Sequence, residues 1–212
     1  MEISSVGYGS YPEILLLNRN FNPGERFLKI VLEVHKKDVE FLGDFGEAYR
    51  RLTRLFPSIK RHQCHHDSLY AEKVRTRGGV SIKEADVYAN IAHLTEHLII
   101  DLIASISGLS SVSGVTCGYL KPISRHDIFV ECPRKGLGLF AANLALEVME
   151  NLNNGTVQKN RVKKLTKLAK IIENDYRKRL TAGEIADRMG CSRDEARHLL
   201  NDYRRLSKVR GE

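Results

Sequence analysis

The stretch "HLTEH" places His93 and His97 four residues apart, with Glu96 beside the second. On a helix, residues four apart lie one above the other, so the two imidazoles can share one metal ion. Glu96 projects to one side, where it can take a proton from a metal-bound water. This is the H-x-x-E-H order of the inverted zincins, and it points to metal-dependent amide hydrolysis. Asp101, four residues past His97, is spaced to accept that ring's second N–H and fix its tautomer. Zn2+ is the expected ion, with other divalent metals left open.

Two histidines do not complete a catalytic zinc, which ordinarily has three protein ligands and a water. Five of the eight histidines lie between positions 62 and 97. The segment "HQCHHD" offers His62, Cys64 and His66 as a third ligand, and Glu131 in "DIFVEC" offers another. The sequence does not choose among them. The competing reading is a polar seam whose histidines bond to backbone. Against it stand Ile91, Leu94, Leu98, Ile99 and Ile100, because polar groups among such residues are costly unless something satisfies them.

The elements that would position these groups follow from periodicity. "FLKIVLEVH" (Phe27–His35) alternates, with Leu28, Ile30, Leu32 and Val34 on one face, and the first 35 residues read as strands. Asp44–Phe56 has helical spacing and is stopped by Pro57. Ser58–Ser68 reads as a strand running into a loop. Ser81 and Glu84 form a capping box that opens a long helix, with Gly108 as its stop. Gly114–Leu120 and Asp127–Cys132 read as strands, followed by a second long helix ending at Asn153–Gly155. The expected fold class is α+β: an antiparallel sheet packed with long helices, then an all-α tail.

The charge is unevenly placed. Residues 156–212 carry 16 Lys/Arg against 8 Asp/Glu, which accounts for the whole net charge of +8. This divides the chain into a neutral domain, 1–155, and a basic helical domain, 156–212, suited to a polyanion. Thr181/Glu184 and Ser192/Glu195 are two further capping boxes, with Gly190 in the turn between their helices. Small Ala186, turn Gly190, then apolar Ala196 and Leu199 make a helix-turn-helix pattern. Its second helix would present Arg193, Arg197, Asn201 and Arg204 to base edges in DNA. Lys163, Lys164, Lys167 and Lys170 would neutralise phosphates.

No apolar run is long enough to span a membrane, and the first residues lack the pattern of a signal peptide, so a cytoplasmic protein is expected. The four cysteines are scattered, with no C-x-x-C pair, and read as reduced, half-buried small hydrophobes.

The order of "PSIKRHQC" (Pro57–Cys64), "HLTEHLIIDL" (His93–Leu102) and "DIFVECPRKGLGLFAANLALEVM" resembles the N-terminal domain of cyanophycin synthetases over residues 1–152. The resemblance implies affinity for an arginine–aspartate polymer and, as in some members, a metallopeptidase-like centre. His93, His97 and Glu96 fall on that family's histidines and glutamate, and His62 on the histidine of its H-x-C strand. "HHDSLYAEK" stands where the family is glycine-rich, and Asp101 where it has a second glutamate. The ligase domains and any counterpart of the helix-turn-helix tail are missing from the match.

Two functions follow. One is a zinc-dependent, peptidase-like hydrolase cleaving an amide or peptide substrate, tethered to a DNA-binding tail. The other is a non-enzymatic regulator that senses a metal or small peptide and binds DNA as a homodimer.

Overall fold

The computed structural model describes residues 1–17, 21–22, 24–41, 45–62, 82–153 and 155–209. The architecture is α+β. Strands β1 (Glu2–Gly9), β2 (Phe27–Glu33), β3 (Gly114–Gly118) and β4 (Arg125–Glu131) form one antiparallel sheet in the order β1-β2-β4-β3. The alternation in β2 sets its faces. Leu28, Ile30 and Leu32 pair with Val130, Ile128 and His126 of β4, and this face packs under the helices. The opposite face carries Phe27 and Phe129, covered by Ile14 and Phe21 in a small separate cluster.

Helix α1 (Lys36–Phe41) and helix α2 (Phe45–Leu55) precede the long α3 (Ile82–Ser107). Gly108 ends α3 at φ 72°, a left-handed turn that glycine adopts at little cost. Ser81 and the side chain of Glu84, the expected capping box, lie outside the described residues. Helix α3 lies over β3 and β4 and packs beside α4 (Lys135–Asn153).

Two segments read as strand are short 3-10 turns instead, Pro12–Leu16 and Pro57–Arg61. Each begins with proline, which presets φ for a turn and gives a ladder no N–H. Ile14 and Ile59 bury themselves and pin each turn to the core. The remainder of the expected strand, 63–68, is outside the described residues. Helix α1 has no sequence periodicity of its own; the Asp38 carboxylate accepts from the His35 N–H at 2.8 Å and caps its start.

Three helices form the basic tail: α5 (Lys159–Asn174), α6 (Ala182–Met189) and α7 (Arg193–Leu206). Leu165, Leu168, Ile185, Ala196, Leu199 and Leu206 belong to the same continuous apolar cluster as Leu28 and Leu98. Polar bonds hold the join. Asn143 of α4 donates to the carbonyls of Leu206 and Lys208, and Arg161 of α5 bridges Glu147 of α4 and Asp202 of α7.

The α6–turn–α7 unit is closed by its caps. Thr181 and Glu184 make the full reciprocal box. Ser192 accepts from the Glu195 N–H, while the Glu195 carboxylate turns to Lys164 instead. Gly190 sits at φ 68°, and both its N–H and that of Cys191 donate to the Ala186 carbonyl. A Cβ at Gly190 would meet nothing within 4 Å. Gly190→Ala therefore costs only the left-handed backbone strain, about 1 kcal/mol in urea unfolding. A neutral substitution would show that the turn tolerates a side chain there.

Among the described residues, no helix is long and apolar enough to cross a membrane. Cys117, Cys132 and Cys191 are free thiols, and Cys132 is buried.

Candidate functional site

Helical periodicity puts His93, His97 and Asp101 in one row along α3. His62 meets this row from the end of the Pro57–Arg61 turn, where its backbone turns extended and Ile59 anchors the preceding residues. His62 Nδ1 lies 2.9 Å from His97 Nδ1, and His97 Nε2 lies 2.9 Å from His93 Nε2. The Asp101 carboxylate Oδ1 is 3.5 Å from His62 Nε2. The expected partnership of Asp101 with His97 is thus displaced by one ring. His97 already spends Nδ1 on His62, so the carboxylate acts on His62.

The ring hydrogens along this row depend on the tautomers of His62, His97 and His93. A carboxylate only accepts, so the 3.5 Å ion-pair contact with Asp101 favours the His62 tautomer that carries its hydrogen on Nε2, with Nδ1 as a lone pair. In that tautomer His62 Nδ1 would accept His97 Nδ1–H, and the His97 Nε2 lone pair would face His93. Two imidazole nitrogens on one tetrahedral zinc sit about 3.3 Å apart, given Zn–N bonds near 2.05 Å. The observed 2.9 Å is a hydrogen-bond distance, and opening it by a few tenths of an ångström admits an ion.

His62 is directed at His97 rather than at the gap between His97 and His93, so it serves as an orienting partner in this arrangement. Cys64 and His66 lie outside the described residues. Glu131 belongs to the opposite sheet face, with Phe27 and Phe129, and its carboxylate accepts from the Ser113 N–H at 3.2 Å. Among the described residues, no group of three or more His, Cys, Asp or Glu is arranged to hold a metal ion.

Glu96 faces the sheet. Successive helical residues are offset by about 100°, which turns Glu96 away from the His97 row. Its carboxylate accepts a short hydrogen bond from the Thr116 hydroxyl of β3. Gly114 makes the space: a Cβ there would come within 2.7 Å of Glu96 Oε1. Burial pushes the Glu96 carboxyl up to about 7, against the opposing pull of the Thr116 bond. Thr116 and Gly114 are partners that motif spacing could not supply. His126, buried on the same sheet face, is a further titratable group the sequence reading passed over. Burial pulls it down to about 4, and its Nδ1 has no hydrogen-bond partner among the described residues.

The tail's expected readers are outward-facing. Arg193, Arg197, Asn201 and Arg204 of α7 are exposed, while Ala196, Leu199 and Leu206 are buried on the other side. Arg197 bonds Asp194 at 2.7 Å. The lysines of α5 divide: Lys164 engages Glu195, Lys167 donates to the Met189 carbonyl at 3.2 Å, and Lys163 and Lys170 border a cavity against α3.

No protein-family model matches the chain, and no curated protein sequence matches it.

Proposed function

We propose that this chain is a DNA-binding regulator whose α+β part carries a zinc-responsive histidine pair, His93 and His97. The observation that carries this reading is the outward row Arg193, Arg197, Asn201 and Arg204. Its helix is capped by Ser192, preceded by a left-handed glycine turn and fixed to the core by Asn143 and Arg161. A rigid, exposed Arg/Asn face suits reading of guanine and adenine edges. The form implied is a homodimer on a two-fold site, with half-sites about 34 Å apart. Selection from a random duplex pool, with and without zinc, tests it. Recovery of a consensus whose affinity falls linearly in log salt supports the reading. Failure to retain any duplex at low salt refutes it.

For the metal, His93 and His97 would supply two lone pairs, and Zn2+ bound there would part their Nε2 atoms by a few tenths of an ångström. His62 and Asp101 hold the His97 tautomer. Asp101→Asn is expected to weaken zinc affinity about tenfold, because an amide no longer enforces the proton order. His93→Ala should abolish the site. Chelator competition and elemental analysis read both. Loss with His93→Ala but none with Asp101→Asn would remove the orienting row from the account.

A second reading, amide hydrolysis, draws on Glu96, whose carboxyl near 7 suits general acid–base work at neutral pH. The resemblance to the cyanophycin synthetase domain supports it and supplies an arginine–aspartate polymer as test substrate. Its weakness is direction, since Glu96 is bonded to Thr116 and would have to turn toward the histidines. Glu96→Gln separates the readings. Polymer or peptide cleavage lost with zinc retained supports a hydrolase; a regulator keeps zinc-dependent DNA binding.

A further inference from the structure

A cavity of about 360 Å3 opens between α3 and α5, within the size range of small-molecule sites. Its floor is apolar, with Phe56 after α2, Leu102 of α3 and Val162 of α5. Its rim is cationic: Lys159, Lys163, Lys167 and Lys170 fall on one side of α5 and line the opening. Asp101 is the single carboxylate in the lining among the described residues, and it faces His62.

The other cations of α5 and α6 are paired. Arg161 is paired with Glu147 and Asp202, Lys164 with Glu195, and Arg188 with Asp175. Lys159, Lys163 and Lys170 have no carboxylate partner among the described residues. A row of ammonium groups without carboxylate partners among the described residues, above an apolar floor, is complementary to a ligand with an anionic head and a greasy body. An inorganic anion would leave the floor wet, and a neutral hydrocarbon would leave the lysines without a counter-charge. Lys167 also reaches Met189, the last residue of α6, just before the Gly190 turn. An anion that engages the Lys167 ammonium competes with that carbonyl.

We propose that this cavity binds a small organic anion, a carboxylate or phosphate on an apolar body, and that its occupancy reaches the α6–α7 turn through Lys167. The coupling rests on the DNA-binding reading; the binding does not.

Titration calorimetry of the full chain tests binding first, with octanoate, phenyl phosphate, inorganic phosphate and 1-octanol. Octanoate or phenyl phosphate should saturate, and the stronger of the two identifies the head group. Inorganic phosphate and octanol should bind at least about tenfold more weakly. Lys163→Gln with Lys170→Gln should weaken the organic anion about tenfold or more, while Arg193→Ala leaves it unchanged. If neither organic anion binds below about 10 mM, the site is refuted. Unchanged affinity in the double lysine variant refutes it equally. Coupling is read as a change in DNA affinity on adding the bound anion, present in the wild type and lost in Lys167→Gln. Intact anion binding with no such change overturns the coupling alone.

Discussion

Glu96→Gln and His126→Leu are expected to tilt the pH dependence of stability in opposite directions, each by about 3 kcal/mol across the acidic-to-neutral range. Burial raises the Glu96 carboxyl from 4.5 to about 7, so between those values the native state holds a proton that the unfolded chain has released. Its contribution is fully present below pH 4.5 and is lost as pH rises toward 7. Burial lowers His126 from 6.5 to about 4, so between those values the unfolded chain is protonated and the native state is not. Its contribution is present above pH 6.5 and is lost as pH falls toward 4. The Asp127 carboxylate and the Ser124 backbone favour the charged imidazole, but desolvation outweighs both.

The two windows nearly coincide, so in the wild type these slopes largely cancel. Relative to wild type, Glu96→Gln gains stability as pH rises from about 4.5 to 7, and His126→Leu gains as pH falls from about 6.5 to 4. Urea unfolding of EDTA-treated protein at four pH values between 4 and 7 reads both differences. Curves for the variants that run parallel to wild type would show that neither group carries its charge change into the fold.

Much of the fold was legible because local rules and tertiary packing agree. Alternation in Phe27–Glu33 gave both the strand and its buried face. Gly108, Gly155 and Gly190, read as helix ends or turns, are the positive-φ glycines found among the described residues. Failures came where local chemistry competed with hydrophobic pattern. Pro12 and Pro57 open 3-10 turns within segments whose apolar content looks strand-like.

The site was legible only within a helix. Spacing brings His93 and His97 together, and the 2.9 Å contact between their Nε2 atoms reflects that periodicity. Spacing says nothing of which side of α3 meets the sheet. The turn of Glu96 to Thr116 depends on the small Gly114 of a strand distant in sequence. His62 joins His97 across 35 residues, a tertiary contact with no periodic signature. The lysine-rimmed cavity was hidden for the same reason. One basic stripe reads identically whether it faces phosphates or an apolar pocket.

That ambiguity makes the tail's substitutions informative. Arg193→Ala together with Arg197→Ala is expected to lower affinity for the selected duplex about 100-fold or more, since each bidentate guanine contact contributes about 1–3 kcal/mol of discrimination. Arg193 should dominate. It opens α7, the end whose side chains reach base edges in a recognition helix. It is exposed, without an ion-pair partner among the described residues. Arg197 must first leave Asp194, an exposed pair three residues apart whose loss costs well under about 1 kcal/mol. The loss should be confined to the selected sequence, leaving non-specific binding and its salt slope nearly intact. Lys163→Gln is the contrast. A phosphate contact there would reduce the salt slope by about one and weaken all sequences alike, whereas a cavity lysine leaves the slope of the anion-free protein unchanged. Equal loss on selected and random DNA in the arginine variant would mean that α7 supplies charge without reading bases.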